Sequence, residues 1–327
     1  MKFYEDRTIV ITGAAGFIGS CLIRHLNDLG IYNLVIVDNL GSSEKWKNLV
    51  KKRFLECIHK DQLFSWLQER ENQIEAFIHL GACSSTTETN ANYLLENNTH
   101  YSMRLAEYAL THGHRFIYAS SAATYGDGAL GFSDDHALLE QFEPMNMYGY
   151  SKHLFDLWLK EQKVLDKVVG LKYFNVFGPN EYHKGRMASV LLKMVPDVLQ
   201  KGEIRLFKST EPLKFGDGNQ VRDFIYVKDV VKMTEQFLTN DARGIFNIGM
   251  GTPGTWNQIA KAVFKALERP EKIEYIDMPT DLVGKYQNYT CADMNKYKQA
   301  GLVMPTYSLE TAVVDYVRNY LVPHKYW

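Results

Sequence analysis

Short apolar runs alternate with longer amphipathic stretches through the first half of the chain. Thr8–Thr12, Leu34–Asp38, Ala76–Leu80, Arg115–Ser120 and Val168–Tyr173 are rich in apolar and β-branched residues and read as buried strands. After the first of them, Phe17, Ile18, Cys21, Leu22, Leu26 and Leu29 recur at helical spacing. Strand–helix alternation of this kind predicts an α/β fold with a Rossmann-type, doubly wound parallel sheet covered on both faces. The second half is less regular. Residues 176–224 carry polar loops and one helical stretch, Ala188–Leu199, then Asp223–Val227 and Gly244–Ile248 read as strands. Residues 255–268 and Leu309–Tyr320 read as helices. This half predicts a smaller α/β lobe over the mouth of the sheet, with the chain crossing between lobes more than once.

The chain has 327 residues, more than one typical domain of about 100–200. With 46% hydrophobic and 23% charged residues, disordered, collagen-like and low-complexity classes are excluded. There are 37 basic against 38 acidic residues, so no global field draws nucleic acid or an anionic membrane. A phosphate-bearing ligand must be held by local groups. Cys21, Cys57, Cys83 and Cys291 form no CxxC, and no His pair has metal spacing. They read as reduced thiols of a cytoplasmic protein, with no metal site. Thr8 to Ile23 carries no charge, but Glu5 and Asp6 precede it and three glycines interrupt it. It is also shorter than the roughly 20 residues that cross a bilayer.

Gly13-Ala14-Ala15-Gly16-Phe17-Ile18-Gly19 follows the first strand and opens the first helix. Glycine permits a tight turn and close approach to a pyrophosphate, and the helix start offers free N–H groups. Asp38 closes the second strand 19 residues after Gly19, where a carboxylate binds a ribose hydroxyl. The combination predicts dinucleotide binding. Asp38 alone favours NAD, because it repels a 2′-phosphate. Asn39 and Lys45 follow it, and a lysine there can offset that repulsion, so NADP and NAD both stay open at this point.

Tyr148 and Lys152 stand at i and i+4 of a helical stretch. A nearby ammonium favours the phenolate, so Lys152 is expected to bring the Tyr148 phenol down. The spacing alone proves nothing: about two Tyr-x3-basic pairs are expected by chance, and there are two, this one and Tyr182/Arg186. Ser121 adds weight, because Ser120-Ser121-Ala122-Ala123-Thr124-Tyr125-Gly126 lies at the C-terminal end of a strand, where doubly wound sheets bind ligands. A serine there can hold a reacting alcohol while the tyrosine moves its proton.

The glycine loop, Ser121, Tyr148 and Lys152 together resemble an extended short-chain dehydrogenase/reductase. The stretches Gly81-Ala82-Cys83-Ser84-Ser85-Thr86-Thr87-Glu88, Tyr173 to Pro179, His183-Lys184-Gly185, Met187-Ala188-Ser189-Val190 and Arg222 to Val227 are similar to those of the ADP-heptose 6-epimerases within that superfamily. The likeness runs through nearly the whole chain. It implies an isomerase of lipopolysaccharide core biosynthesis that inverts C6 of a nucleotide-activated heptose through a transient ketone, with bound NADP. It implies Tyr148 and Lys184 as the two acid/base groups, beside Ser121 and Lys152. Cofactor contacts carried over are Gly13, Gly16, Phe17, Ile18, Gly19, Asp38, Asn39, Lys45, Lys60, Leu80, Gly81, Ala82, Cys83, Ser84, Asn97, Lys152, Val176 and Lys184. Substrate contacts carried over are Asn175, Arg186, Lys193, Phe207, Lys208, Ser209, Thr210, Arg222 and Tyr286, with Arg222 a partner for the pyrophosphate.

The resemblance further implies a dinucleotide-binding domain of 1–175 plus about 225–250, a nucleotide-sugar domain of about 176–224 plus 251–327, and a homo-oligomer, commonly a pentamer. Leu80, Arg186 and Lys193 depart from the family form, and residues 208–221 are longer. The nearest alternative is a UDP-hexose 4-epimerase of the same superfamily. A 4,6-dehydratase fits less well, because that chemistry wants an Asp-Glu pair where Tyr125-Gly126 stands. A non-catalytic dinucleotide sensor would keep the glycine loop without the Tyr148/Lys152 pair.

Overall fold

The computed structural model describes residues 7–279 and 287–327, so Tyr286 lies outside the described residues. Seven strands form one wholly parallel sheet in the spatial order Gly244–Ile248, Val169–Tyr173, Arg115–Ser121, Ile74–His79, Thr8–Thr12, Leu34–Asp38, Glu56–His59. Alternate residues face opposite sides of a strand, and the core divides accordingly. Ile9 and Ile11 pack with Leu22, Leu26, Val230 and Phe237 on one side. Val10 packs with Val35, Phe77, Leu105 and Phe155 on the other.

Strand order reverses between Thr8–Thr12 and Ile74–His79. In an open α/β sheet the carboxyl ends at such a reversal form the ligand crevice. The loops leaving these two strands, 13–16 and 80–84, are therefore side by side.

Several boundaries differ from the sequence expectation. The edge strand Glu56–His59 was not foreseen, because only Ile58 of its four residues is buried and it carries almost no hydrophobic pattern. The helix expected from Ala188 begins at Leu191 and runs to Lys201. The last α-helix stops at Tyr316 and continues as a π-turn, Val317–Leu321.

Within 223–227 only Phe224–Tyr226 is strand, and it pairs with Asn175–Phe177 outside the main sheet. Asp223 is spent on the loops instead. Its carboxylate accepts N–H bonds from Met250, Gly251 and Ala292. Two further short pairs, Val221–Arg222 with Gly254–Thr255 and Ile204–Phe207 with Ile273–Ile276, lie outside the main sheet. No helix among the described residues is long and apolar enough to cross a membrane.

Candidate active site

A cleft of 470 Å³ opens along the carboxyl edge of the sheet. Its walls bring together the glycine loop, Asp38, Asn39, Lys45, Lys60, residues 80–84, Asn97, Ser121, Tyr148, Lys152, Val176 and Lys184. The glycine loop is shaped by close packing. Gly13 has φ +66°, and a Cβ there would lie 2.7 Å from the Gly81 Cα. Only glycine lets the two crevice loops touch. The helix Phe17–Asp28 starts at Gly16 with no side-chain cap, which leaves its first N–H groups and the positive end of its dipole at the cleft.

Asp38 ends its strand with every near donor engaged. Oδ2 accepts the Ala15 N–H at 2.8 Å, Oδ1 the Asn39 N–H at 2.7 Å, and the Lys45 ammonium stands 2.6 Å from Oδ1. Lys45 thus gives the carboxylate its counter-charge.

The helix Met147–Glu161, which carries Tyr148 and Lys152, begins at Asn146, whose side chain accepts the Gly149 N–H. A Cβ on Gly149 would sit 2.7 Å from the Ala123 carbonyl oxygen, so this helix presses directly on the turn that follows Ser121. Tyr148 and Lys152 thereby share the cleft with Ser121. Burial raises the Tyr148 phenol, and the Ser121 hydroxyl is the group that pulls it back down. The expected lowering by Lys152 is not what the structure shows. Lys152 is itself buried and pushed down to about 8, and the charge acting on it is Asp156.

Lys184 lies on the turn Tyr182–Met187, with its ammonium 5.4 Å from the centre of the Phe17 ring. Burial lowers its pKa and Glu181 opposes that shift.

Two polar networks that sequence reasoning missed hold this constellation. Thr12 Oγ1 is 2.6 Å from His79 Nδ1, and His79 Nε2 is 2.8 Å from Ser102 Oγ. Ser102 donates to the Asn98 carbonyl, so the ring carries its proton on Nε2. Thr12 Oγ1 also accepts the Gly81 N–H, which ties the two crevice loops together. Burial pushes His79 down to about 3, so it stays neutral.

The second network centres on Asn98, in a π-turn, Leu95–His100, set between the α-helical turns Ala91–Leu94 and Tyr101–Thr111. Such π-bulges gather at functional sites. The Asn98 amide accepts from the Cys83 N–H and donates to the Cys83 carbonyl and Ser151 Oγ, while Ser151 donates to the Tyr148 carbonyl. One side chain therefore joins the 80–84 loop to the helix Met147–Glu161. In the sequence Asn98 is one of a polar run, Glu96 to His100, and nothing there singles it out.

The positions expected to contact substrate lie elsewhere. Asn175, Arg186, Lys193, Phe207, Lys208, Ser209, Thr210 and Arg222 are not among the residues lining the cleft. Asn175 adjoins it through Val176 and accepts from the Thr290 hydroxyl at 3.3 Å. Arg186 and Lys193 are exposed. Lys208 pairs with Asp277 at 3.0 Å, and the Ser209 N–H donates to Asp217. Arg222 is buried and donates to the Val221 carbonyl.

The NAD dependent epimerase/dehydratase family matches residues 9–249. An ADP-L-glycero-D-manno-heptose-6-epimerase of Nitratidesulfovibrio vulgaris (strain DP4) is 50% identical over 315 residues, 95% of this chain and 97% of that one. The chain belongs to the ADP-L-glycero-D-manno-heptose-6-epimerases. A solved member of this family, from Helicobacter pylori, superposes with a TM-score of 0.79 at 28% identity, covering 98% of this chain and 99% of that chain. The UDP-glucose 4-epimerase of Thermotoga maritima, solved with UDP-glucose, gives 0.75 at 27% identity over 95% and 99% of the chains. The fold is thus shared across nucleotide-sugar epimerases, and the 50% sequence identity separates the heptose family from the 4-epimerases.

Proposed function

We propose that this chain converts ADP-D-glycero-D-manno-heptose to the L-glycero form, by oxidising C6 to a ketone and reducing it from the other face. The inverted carbon has no neighbouring carbonyl, so its C–H is not acidic and direct deprotonation is closed to it. The observation that carries this reading is the gathering of Ser121, Tyr148, Lys152 and Lys184 in one cleft with the glycine loop.

The residues present fit a nicotinamide dinucleotide. The Gly13 turn and the uncapped helix start suit a pyrophosphate, and Asp38 suits a ribose. When bound, that cofactor supplies reversible hydride transfer, which no side chain can provide. NADP is favoured over NAD because the Lys45 ammonium already neutralises Asp38 at 2.6 Å.

The protein's own part is proton work. Ser121 holds the reacting oxygen. Tyr148 serves one face of the carbon and Lys184 the other. The Ser121 hydroxyl makes it easier for the buried phenol to lose its proton, and burial makes it easier for Lys184 to lose its own. A homo-oligomer belongs to this reading as what the sequence resemblance implies.

The test is NMR of the ADP-heptose incubated with the protein in deuterated water. Inversion without deuterium at C6 is expected. Deuterium at that carbon would replace the ketone route by a carbanion route, and no inversion at all would remove the heptose reading.

A further inference from the structure

Beneath the cleft floor lies a pair of charges that the proposed chemistry does not use. Lys172 is in the strand Val169–Tyr173 and Asp156 is one helical turn beyond Lys152; their side chains have 0% exposure and stand 2.8 Å apart. Burying such a pair costs several kcal/mol per ion, and apolar residues of the same volume are often as stable. Core stability alone therefore does not account for a lysine in a buried strand.

The pair's other bonds converge on Ser121. Asp156 accepts from Ser120 Oγ at 2.7 Å and from the Tyr118 hydroxyl at 2.8 Å. Lys172 donates to Thr124 Oγ1, and Thr124 Oγ1 donates to the Ser121 carbonyl at 2.8 Å. The residue before Ser121 is thus tied to the carboxylate, and Ser121's own carbonyl is tied through Thr124 to the ammonium. The Tyr125 ring, 4.8 Å from Lys172 Nζ, packs against the same charge.

We propose that the Lys172–Asp156 ion pair is a positioning device that fixes Ser121 against Tyr148. This rests on the roles given above to Ser121 and Tyr148. Neither Lys172 nor Asp156 is among the residues lining the cleft, and both are positioning residues. Tyr148 meets the Ser121 hydroxyl from the adjacent turn and Cys83 from the 80–84 loop, and it shares the cleft with Lys152 and Lys184.

The full-length enzyme with its cofactor is compared with Lys172→Met/Asp156→Asn, which removes both charges at nearly constant volume and leaves no lone ion buried. Expected is retention of bound cofactor, KM within about twofold of wild type, and kcat lower by about tenfold or more, largely recovered in Lys172→Arg. The ascending limb of kcat moves to higher pH in the double variant, because the Tyr148 phenol loses the Ser121 hydroxyl that lowers it; Ser120→Ala, which cuts one tie and leaves the ion pair in place, moves it the same way by less.

A double variant with wild-type kcat, or an ascending limb that moves in neither variant, overturns the proposal; Ser120→Ala decides it if the double variant fails to fold. If wild type itself does not turn over ADP-heptose, the reading beneath is what fails.

Discussion

The Lys45 ammonium sits 2.6 Å from an oxygen of Asp38, which makes the residue that should reject a 2′-phosphate part of a neutral pair. Lys45→Ala would leave that carboxylate charged without its partner. The expected result is a loss of NADP affinity of about tenfold or more, about 1.4 kcal/mol, with NAD affected less. Titration of both cofactors into the stripped protein checks this, and equal losses for the two would place the 2′-phosphate elsewhere.

Tyr148→Phe keeps the ring and deletes the proton. Positioned proton transfer contributes about 10²–10⁴-fold in rate, so kcat should fall by that order with cofactor retained. Lys184→Met should do the same, because it deletes the group proposed to serve the other face of the carbon. Unchanged turnover in either variant removes that residue from the chemistry.

Asn98→Ala breaks the link between the 80–84 loop and the helix Met147–Glu161. It leaves the part-buried Cys83 N–H and carbonyl without the partner that Asn98 supplied. A fully buried unsatisfied group costs about 1–3 kcal/mol, so a loss of up to that size should appear as a lower urea midpoint together with weaker cofactor binding. A stability loss with cofactor affinity intact would confine Asn98 to structure.

His79 gives a pH signature. Its pKa is about 3 in the folded protein against an ordinary 6.5. Between those values the unfolded chain takes up a proton that the native state refuses, so stability falls as pH falls. Well below 6.5 this one group contributes a slope of about 1.4 kcal/mol per pH unit. Urea midpoints at pH 7, 6 and 5 for wild type and His79→Gln test it. Parallel profiles would show that the ring is protonated within the fold.

The parallel sheet, the glycine loop and the placing of Tyr148 and Lys152 on one helix were legible in the chain itself. These depend on local order: a buried strand must be apolar, a turn against a neighbouring backbone must be glycine, and two residues four apart share a helix face. Glu56–His59 escaped notice because an edge strand buries little and needs no hydrophobic pattern. The electrostatics belonged to the tertiary structure. Tyr148 and Lys152 are close in sequence, yet folding couples the phenol to Ser121 and the ammonium to Asp156. Asn98 and Lys172 look like ordinary polar residues until the fold brings Ser151 and Asp156 to them across 53 and 16 positions. Residue types at local spacing determined which chemistry was possible. Burial and long-range contacts, which no local spacing encodes, decided which groups carry charge and what holds them in place.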